Sequence, residues 1–280
     1  MKKWLLYLFL GLLSIALPKL YHWSIAGFSL KKIYYEESFD PKFISHPFSD
    51  EIAEILKQDF YYLGQGRQVF VFESADKKHV LKLVRFNHYK MPFRYEFLLS
   101  LGLKPKDTHQ TRRTHYQRFF TSYKMALEEL SDLTGVVFVH LNPTSAEMPQ
   151  VTIHDRLKRP LKISLDQTAF LIQKKGVPLL QVKEQEMEKV IDSFFQTILT
   201  YKEKDVVHYD LPNLIRNVGF YQGHYMEMDV GSYEKRPKDK HYWKRELENI
   251  SQIFVRFLEK NAPHCIPYFE QKKAEVKQSL

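Results

Sequence analysis

Residues Val206–Tyr233 read VVHYDLPNLIRNVGFYQGHYMEMDVGSY. The stretch opens as a strand end, passes through His208-Tyr209-Asp210 and a proline-containing loop, and forms a short hairpin. It closes on Asp229-Val230-Gly231. The hairpin arms LIRNVGF and GHYMEM return the chain on itself, so Asp210 and Asp229, 19 positions apart, come back to one edge of a sheet. Asp210 follows an apolar pair and is suited to take a proton from an attacking hydroxyl. Asn213 offers an amide oxygen to a hard cation, and the carboxylate of Asp229 suits Mg²⁺, which prefers oxygen ligands and keeps substrate phosphates in its shell. His208 reads as a structural residue bracing the loop, with Asp210 the better base. The plainer alternative is that both aspartates only make turns.

Outward from this stretch, the chain divides into a β-rich first part and a helical second part. SDEIAEILKQD, from Ser49, is a short helix with Ser49 as N-cap and acids in its first turn. VFVFES and HVLKLVRF flank the polar turn ADKK and form a hairpin. Residues 88–135 are helical, with a break near Gly102 and Pro105, and Phe119, Tyr123, Ala126, Leu127 and Leu130 share one helical face. VVFVHL is a strand, VTIHDRLKRPLKISL a second hairpin and AFLIQ a further strand. Beyond Lys174-Lys175-Gly176 the pattern turns helical. Met187, Val190, Ile191, Phe194, Phe195, Ile198 and Leu199 form one apolar face, and Trp243, Leu247, Ile250, Phe254, Phe257 and Leu258 form another. This segregation is that of an α+β protein with two lobes.

In the first hairpin, LGQGRQVFVF carries Gly64 and Gly66, where glycines let backbone N–H groups approach phosphate oxygens. Lys82 lies amid apolar residues of the next strand; alternation puts Val80, Lys82 and Val84 on one face. A lysine there needs an anion or a route to water, or else the strand is an exposed edge.

Taken in order, these pieces resemble the protein-kinase-like superfamily over about residues 59–260. LGQGRQVFV is similar to the Gly-rich loop, VLKLV to the strand of the nucleotide-binding lysine, HYDLPNLI to the His-x-Asp catalytic loop, and MDVG to Asp-Phe-Gly. The resemblance implies a two-lobed fold with a β-rich N-lobe (49–175) and a small helical C-lobe (176–280). It implies ATP and Mg²⁺ as cofactors: Gly64 and Gly66 over the phosphates, Lys82 pairing with the α- and β-phosphates, Asp210 catalytic, Asn213 and Asp229 on the metal, and AFLIQKKG as the hinge meeting the adenine. Glu128 is the implied partner of Lys82, with Glu129 and Glu96 as competitors. The sequence departs from the family at several points. Val69 stands where a third glycine is usual, and Asn213 follows Asp210 by three positions where five is usual, leaving Asn217, seven away, as the alternative amide. The 51 residues after Asp229 hold no Ala-Pro-Glu. That points to the small-molecule, sugar or lipopolysaccharide kinase branches, with a non-catalytic pseudokinase scaffold as the alternative.

Net charge is +9, which favours anionic partners; nucleotide and membrane surface are expected, nucleic acid is not. Cys265, the one cysteine, excludes an internal disulfide framework. At the N-terminus (1–30), MKK precedes an uninterrupted apolar run, Trp4–Leu17, then Pro18-Lys19 and YHWSIAGF. As a helix the run covers about 21 Å, short of the ~30 Å hydrocarbon core. Residues 4–28 therefore read as a membrane-associating segment with the catalytic part on the cytoplasmic side; a cleaved signal peptide is the other reading.

Overall fold

The computed structural model describes residues 2–35, 40–43, 47–89, 93–103, 109–210 and 213–280. In chain order the helices and strands are α1 (Lys2–Ser24), α2 (Asp50–Leu56), β1 (Phe60–Gln65), β2 (Val69–Ser74), β3 (His79–Val84), α3 (Phe93–Ser100), α4 (His109–Glu128), α5 (Ser131–Thr134), β4 (Val136–His140), β5 (Gln150–His154), β6 (Pro160–Ser164), β7 (Phe170–Lys174), β8 (Val177–Pro178), α6 (Met187–Glu203), β9 (Val206–His208), α7 (Leu214–Asn217), β10 (Val218–Tyr221), β11 (His224–Glu227), β12 (Tyr233–Lys235), α8 (Lys240–Asn261) and α9 (Ile266–Ser279). The fold is α+β. A seven-stranded sheet has the order β4-β7-β3-β2-β1-β5-β6, and two small sheets have the orders β11-β10-β8 and β12-β9. The chain divides into two compact units, Met1–Lys90 with His140–Ile172, and Met91–Val139 with Gln173–Leu280. Residues 91–139, which the sequence places with the β-rich part, thus group with the helical residues.

In the first unit, antiparallel pairing joins β1 to β2 and β2 to β3, and β1 runs parallel to β5. Ser49 caps α2 as its position suggests, its hydroxyl accepting from the Ile52 N–H at 3.4 Å. The core is aromatic: Phe60, Phe70 and Phe72 are fully buried, and Phe28 meets Phe70 and Phe72 edge-on at 5.0 and 5.6 Å. Strand β3 lies between β2 and β7, so both of its edges are hydrogen-bonded and the edge-strand alternative does not hold. Its side chains from Val80 to Val84 are buried on both faces, Lys82 among them at 7% exposed.

Helix α1 runs on through Pro18 to Ser24, past the predicted interruption. A proline removes one ladder hydrogen bond and does not by itself end a helix. Among the described residues no helix is long and apolar enough to cross a membrane.

In the second unit, α6 and α8 bury the faces that their sequences assign, except that Leu199 of α6 is only half-buried. Phe194 packs on Phe254 at 4.5 Å, and Phe254 stacks on Phe269 of α9 at 5.4 Å. On α4, Phe119, Tyr123 and Ala126 are buried, with Leu127 intermediate; Leu130, just past the end of the helix, is buried as well. The helix assigned through Leu258 ends at Asn261, and a further helix, α9, which the sequence pattern does not assign, follows it.

Candidate functional site

The Val206–Tyr233 stretch folds within the second unit, and three backbone devices hold its two aspartates. The first is the hairpin. β10 and β11 pair from Val218↔Glu227 to Tyr221↔His224. The two turn residues, Gln222 and Gly223, have φ of 48° and 91°. Positive φ at both centres is the two-residue turn whose twist suits a hairpin.

The second device is Asn217, at the base of the hairpin. Its carbonyl accepts from the N–H groups of Met228 (2.7 Å) and Asp229 (3.3 Å), while its side-chain Nδ2 donates to Asp210 Oδ2 at 2.7 Å. One residue thereby ties both aspartates. Asn213 donates through Nδ2 to the other oxygen, Asp210 Oδ1, at 2.8 Å, and its backbone N–H closes a turn onto the Asp210 carbonyl at 3.1 Å. The sequence leaves Asn213 and Asn217 as competitors; in the structure both amides hold Asp210. Leu211 and Pro212, the tight part of this loop, lie outside the described residues.

The third device fixes the segment after Asp229. Ser122, fully buried on α4, donates to the Val230 carbonyl at 2.6 Å and accepts from the Tyr233 N–H at 2.7 Å. Pairing of β12 with β9 sets Tyr233 opposite His208, and Tyr209 N–H donates to the Ser232 carbonyl at 3.0 Å. His208 is buried with its ring 5.0 Å from that of Tyr233. Asp229 itself is exposed; its Oδ1 accepts from the Gly231 N–H at 3.3 Å.

Beneath this edge lies an acid that the sequence reading passed over. Glu227 is 2% exposed, takes a hydrogen bond from the Tyr233 hydroxyl, and its carbonyl accepts from Gln173 Nε2 at 2.8 Å. Burial, followed by the nearby Glu227 charge, raises the phenols of Tyr201, Tyr225 and Tyr233 well above their ordinary range, so they stay protonated. The only sequence signal for Glu227 is an acid at an inward strand position, in YMEM.

The remaining candidates lie elsewhere. Gly64 sits in β1 just past an irregularity of register, and Gly66 follows the strand, its N–H donating to the Val69 carbonyl at 2.9 Å. A Cβ at Gly64 would meet nothing within 4 Å, and one at Gly66 only Val69 at 3.6 Å. Neither glycine has positive φ. The packing and backbone of the chain itself therefore do not require glycine at either position. Lys82 is in β3 of the same unit. Glu128, on α4, is exposed with Lys124 at 3.7 Å; Glu129 bonds Lys235 at 2.6 Å; Glu96, on α3, is exposed. Among the described residues no group of three or more His, Cys, Asp or Glu side chains is placed to hold a metal ion. Mg²⁺ in phosphotransfer sites is usually held by one or two carboxylates plus phosphate oxygens, the donor type that Asp210 and Asp229 would supply. A cavity of about 400 Å³ in this unit sits at the turn end of the hairpin, lined by Asp132, Lys174, Tyr221 and His224 among others, and not by Asp210 or Asp229.

No family model matches this chain, and no curated protein matches it. A solved structure of WaaP in complex with acyl carrier protein is similar to it, with a TM-score of 0.31 and 8% sequence identity, over 81% of this chain and 92% of that chain. At that score the likeness bears on neither activity nor site.

Proposed function

We propose that the chain is an ATP- and Mg²⁺-dependent phosphotransferase of the protein-kinase-like class, acting on a hydroxyl of a small-molecule, sugar or lipid-linked acceptor at a membrane. The observation that carries this reading is Asn217, whose side chain holds Asp210 and whose carbonyl holds the Asp229 backbone. Phosphoryl transfer asks for a base and a metal carboxylate in fixed mutual register, and little covalent chemistry from the protein. In this reading Asp210 receives the proton of the acceptor hydroxyl. A carboxylate has about four lone-pair sites, and the two amides use two of them, fixing the group while leaving it able to accept. The nitrogens of Asn213 and Asn217 are engaged, so their amide oxygens are the atoms offered to a hard cation. Asp229 supplies a charged, exposed carboxylate for the same ion. The bound ion would neutralise developing phosphate charge. Gly64 and Gly66 leave space for a phosphate beside the β1–β2 turn. The exposed apolar surface of α1 supports action at a membrane.

A second reading, a nucleotide-binding scaffold without turnover, is favoured by two features. Both Asp210 oxygens are taken by amides, and Asn213 arrives after only three residues. Turnover separates the two readings. The full chain with Mg²⁺ and ATP should hydrolyse ATP slowly, and Asp210→Asn should lower that rate by about 10²-fold or more while Mg²⁺-ATP still raises Tm. Equal rates in the two proteins would refute Asp210 as base. Stabilisation without any turnover in the native chain would establish the scaffold.

A further inference from the structure

Helix α1 exposes apolar side chains all round. Trp4, Tyr7, Leu10, Leu12, Leu17 and Leu20 are each at least half exposed and are spread over every face of the helix. A helix apolar on all sides is normally covered, by protein or by lipid. The C-terminal end of α1 meets a second element of the same unit, the turn between β5 and β6. Arg156 lies over the Trp23 ring at 5.3 Å and donates to the Trp23 carbonyl at 3.3 Å. Arg159 donates to the Tyr21 hydroxyl at 3.1 Å. The tip between them, Leu157-Lys158, is exposed, with Leu157 at 47% and Lys158 at φ 61°.

The charges of this turn divide sharply. Arg159 is neutralised by Asp155, whose carboxylate takes hydrogen bonds from Nε at 2.8 Å and Nη2 at 2.6 Å. Among the described residues Arg156 and Lys158 have no carboxylate partner, and both are exposed. Lys19 and Lys31 add exposed charge on either side of the helix end. Next to the turn is an open groove of about 780 Å³, lined by Ile25, Phe28 and Leu161 together with Lys32. Two interfacial aromatics, an exposed leucine and unpaired cations thus meet where an apolar helix joins the folded unit. Aromatic rings favour the headgroup level of a bilayer, and cations favour anionic lipid there.

We propose that the β5–β6 turn and the C-terminal end of α1 form one collar that seats the protein on an anionic phospholipid surface. Arg156 and Lys158 meet lipid phosphates, and Leu157 and Trp23 lie at the headgroup–acyl boundary. The collar rests on the reading of α1 as a membrane-associating segment and adds to it a lipid-charge preference set outside α1. The test is co-sedimentation of the full chain with neutral phosphatidylcholine vesicles and with vesicles containing one quarter phosphatidylglycerol. Each juxtamembrane cation contributes about fivefold in affinity, so Arg156→Gln/Lys158→Gln should lose about 25-fold for the anionic vesicles at low salt and keep its binding to neutral ones. The loss should shrink at high salt. Leu8→Lys/Leu12→Lys, at exposed positions of α1, should lose neutral-vesicle binding. If the native chain binds both vesicles equally, or the double glutamine variant stays within twofold on anionic vesicles, the collar is wrong while the anchor stands. If the native chain binds neither, the reading of α1 fails and the collar with it.

Discussion

Ser122→Ala is the perturbation whose size follows most directly from the structure. The hydroxyl is fully buried and makes two short hydrogen bonds, to the Val230 carbonyl and from the Tyr233 N–H. Alanine fits the same space, so no cavity of note is created. What changes is that one buried carbonyl and one buried N–H lose their partner. Each orphaned group costs about 1–3 kcal/mol, so the variant should be less stable by about 2–6 kcal/mol. For a chain of this size that lowers Tm by roughly 3–10 °C. A matched control lies on α8. Ser251 is also fully buried, but its hydroxyl has no partner among the described residues. Ser251→Ala removes a desolvated polar group that gains nothing and should be neutral or slightly stabilising. The assay is thermal unfolding of the three proteins in one buffer. Because Ser122 fixes the residues on either side of Gly231 and Ser232, Ser122→Ala should also weaken Mg²⁺-ATP stabilisation at a temperature where it is still folded. Equal Tm values for Ser122→Ala and the native chain, or an equal loss in Ser251→Ala, would refute the reasoning.

Other expectations follow from the same structure. Gly219→Ala places a Cβ 2.7 Å from the Val177 carbonyl and 3.0 Å from the Met228 sulfur; forcing β8 and β10 apart should cost about 1–3 kcal/mol in denaturant unfolding, and an unchanged midpoint would show that the strands have room. Gly64→Ala and Gly66→Ala should leave Tm within about a degree, since the added carbon meets open space or ordinary contact, but should reduce stabilisation by ATP; a large loss of Tm would mean that these glycines serve the fold. Stability should also depend on pH. Burial holds the His140 imidazole below its usual range despite its bond to the Thr168 carbonyl, so the unfolded chain takes up that proton first, and stability falls as pH drops below about 6.5. At Asp155 and Asp166 burial is the largest single influence and pushes upward, yet hydrogen bonds from Arg159 and Thr144 and from neighbouring backbone N–H groups outweigh it. Their stabilisation is complete above about pH 4 and is lost below that. A Tm that is flat from pH 7 to 5 would contradict the His140 part.

The elements carrying strong local patterns were legible in the sequence. α6 and α8 bury the residues their 3.6-residue period assigns, Leu199 alone being only half-buried, and Ser49 caps α2. The hairpin between the aspartates was legible because Gln222-Gly223 can take two positive φ values in a row. Lys82 in an apolar strand was visible, but that the strand is central and not an edge was not, since that depends on β7 arriving beside β3 from far along the chain. Strands β8 and β12 are two and three residues long, too short for any periodicity. Ser122 carries no sequence signal: a serine on a helix face gains its meaning only when the chain more than 100 residues later packs against it. Asn217 was named only as the alternative amide. Its role is set by the hairpin register, which returns Met228 and Asp229 to its carbonyl while its side chain reaches Asp210.

The measurement that tests the central claim most directly is the thermal shift of the full chain on adding millimolar ATP with Mg²⁺, in the native protein and in Asp229→Ala. A ligand at 100 times its Kd stabilises the folded state by about 2.7 kcal/mol, several degrees for this chain. A rise in Tm that needs both ATP and Mg²⁺ and is lost in Asp229→Ala is the result predicted here. No shift in the native protein, or the same shift in Asp229→Ala, would contradict a nucleotide–metal site at the Asp210–Asn217–Asp229 edge.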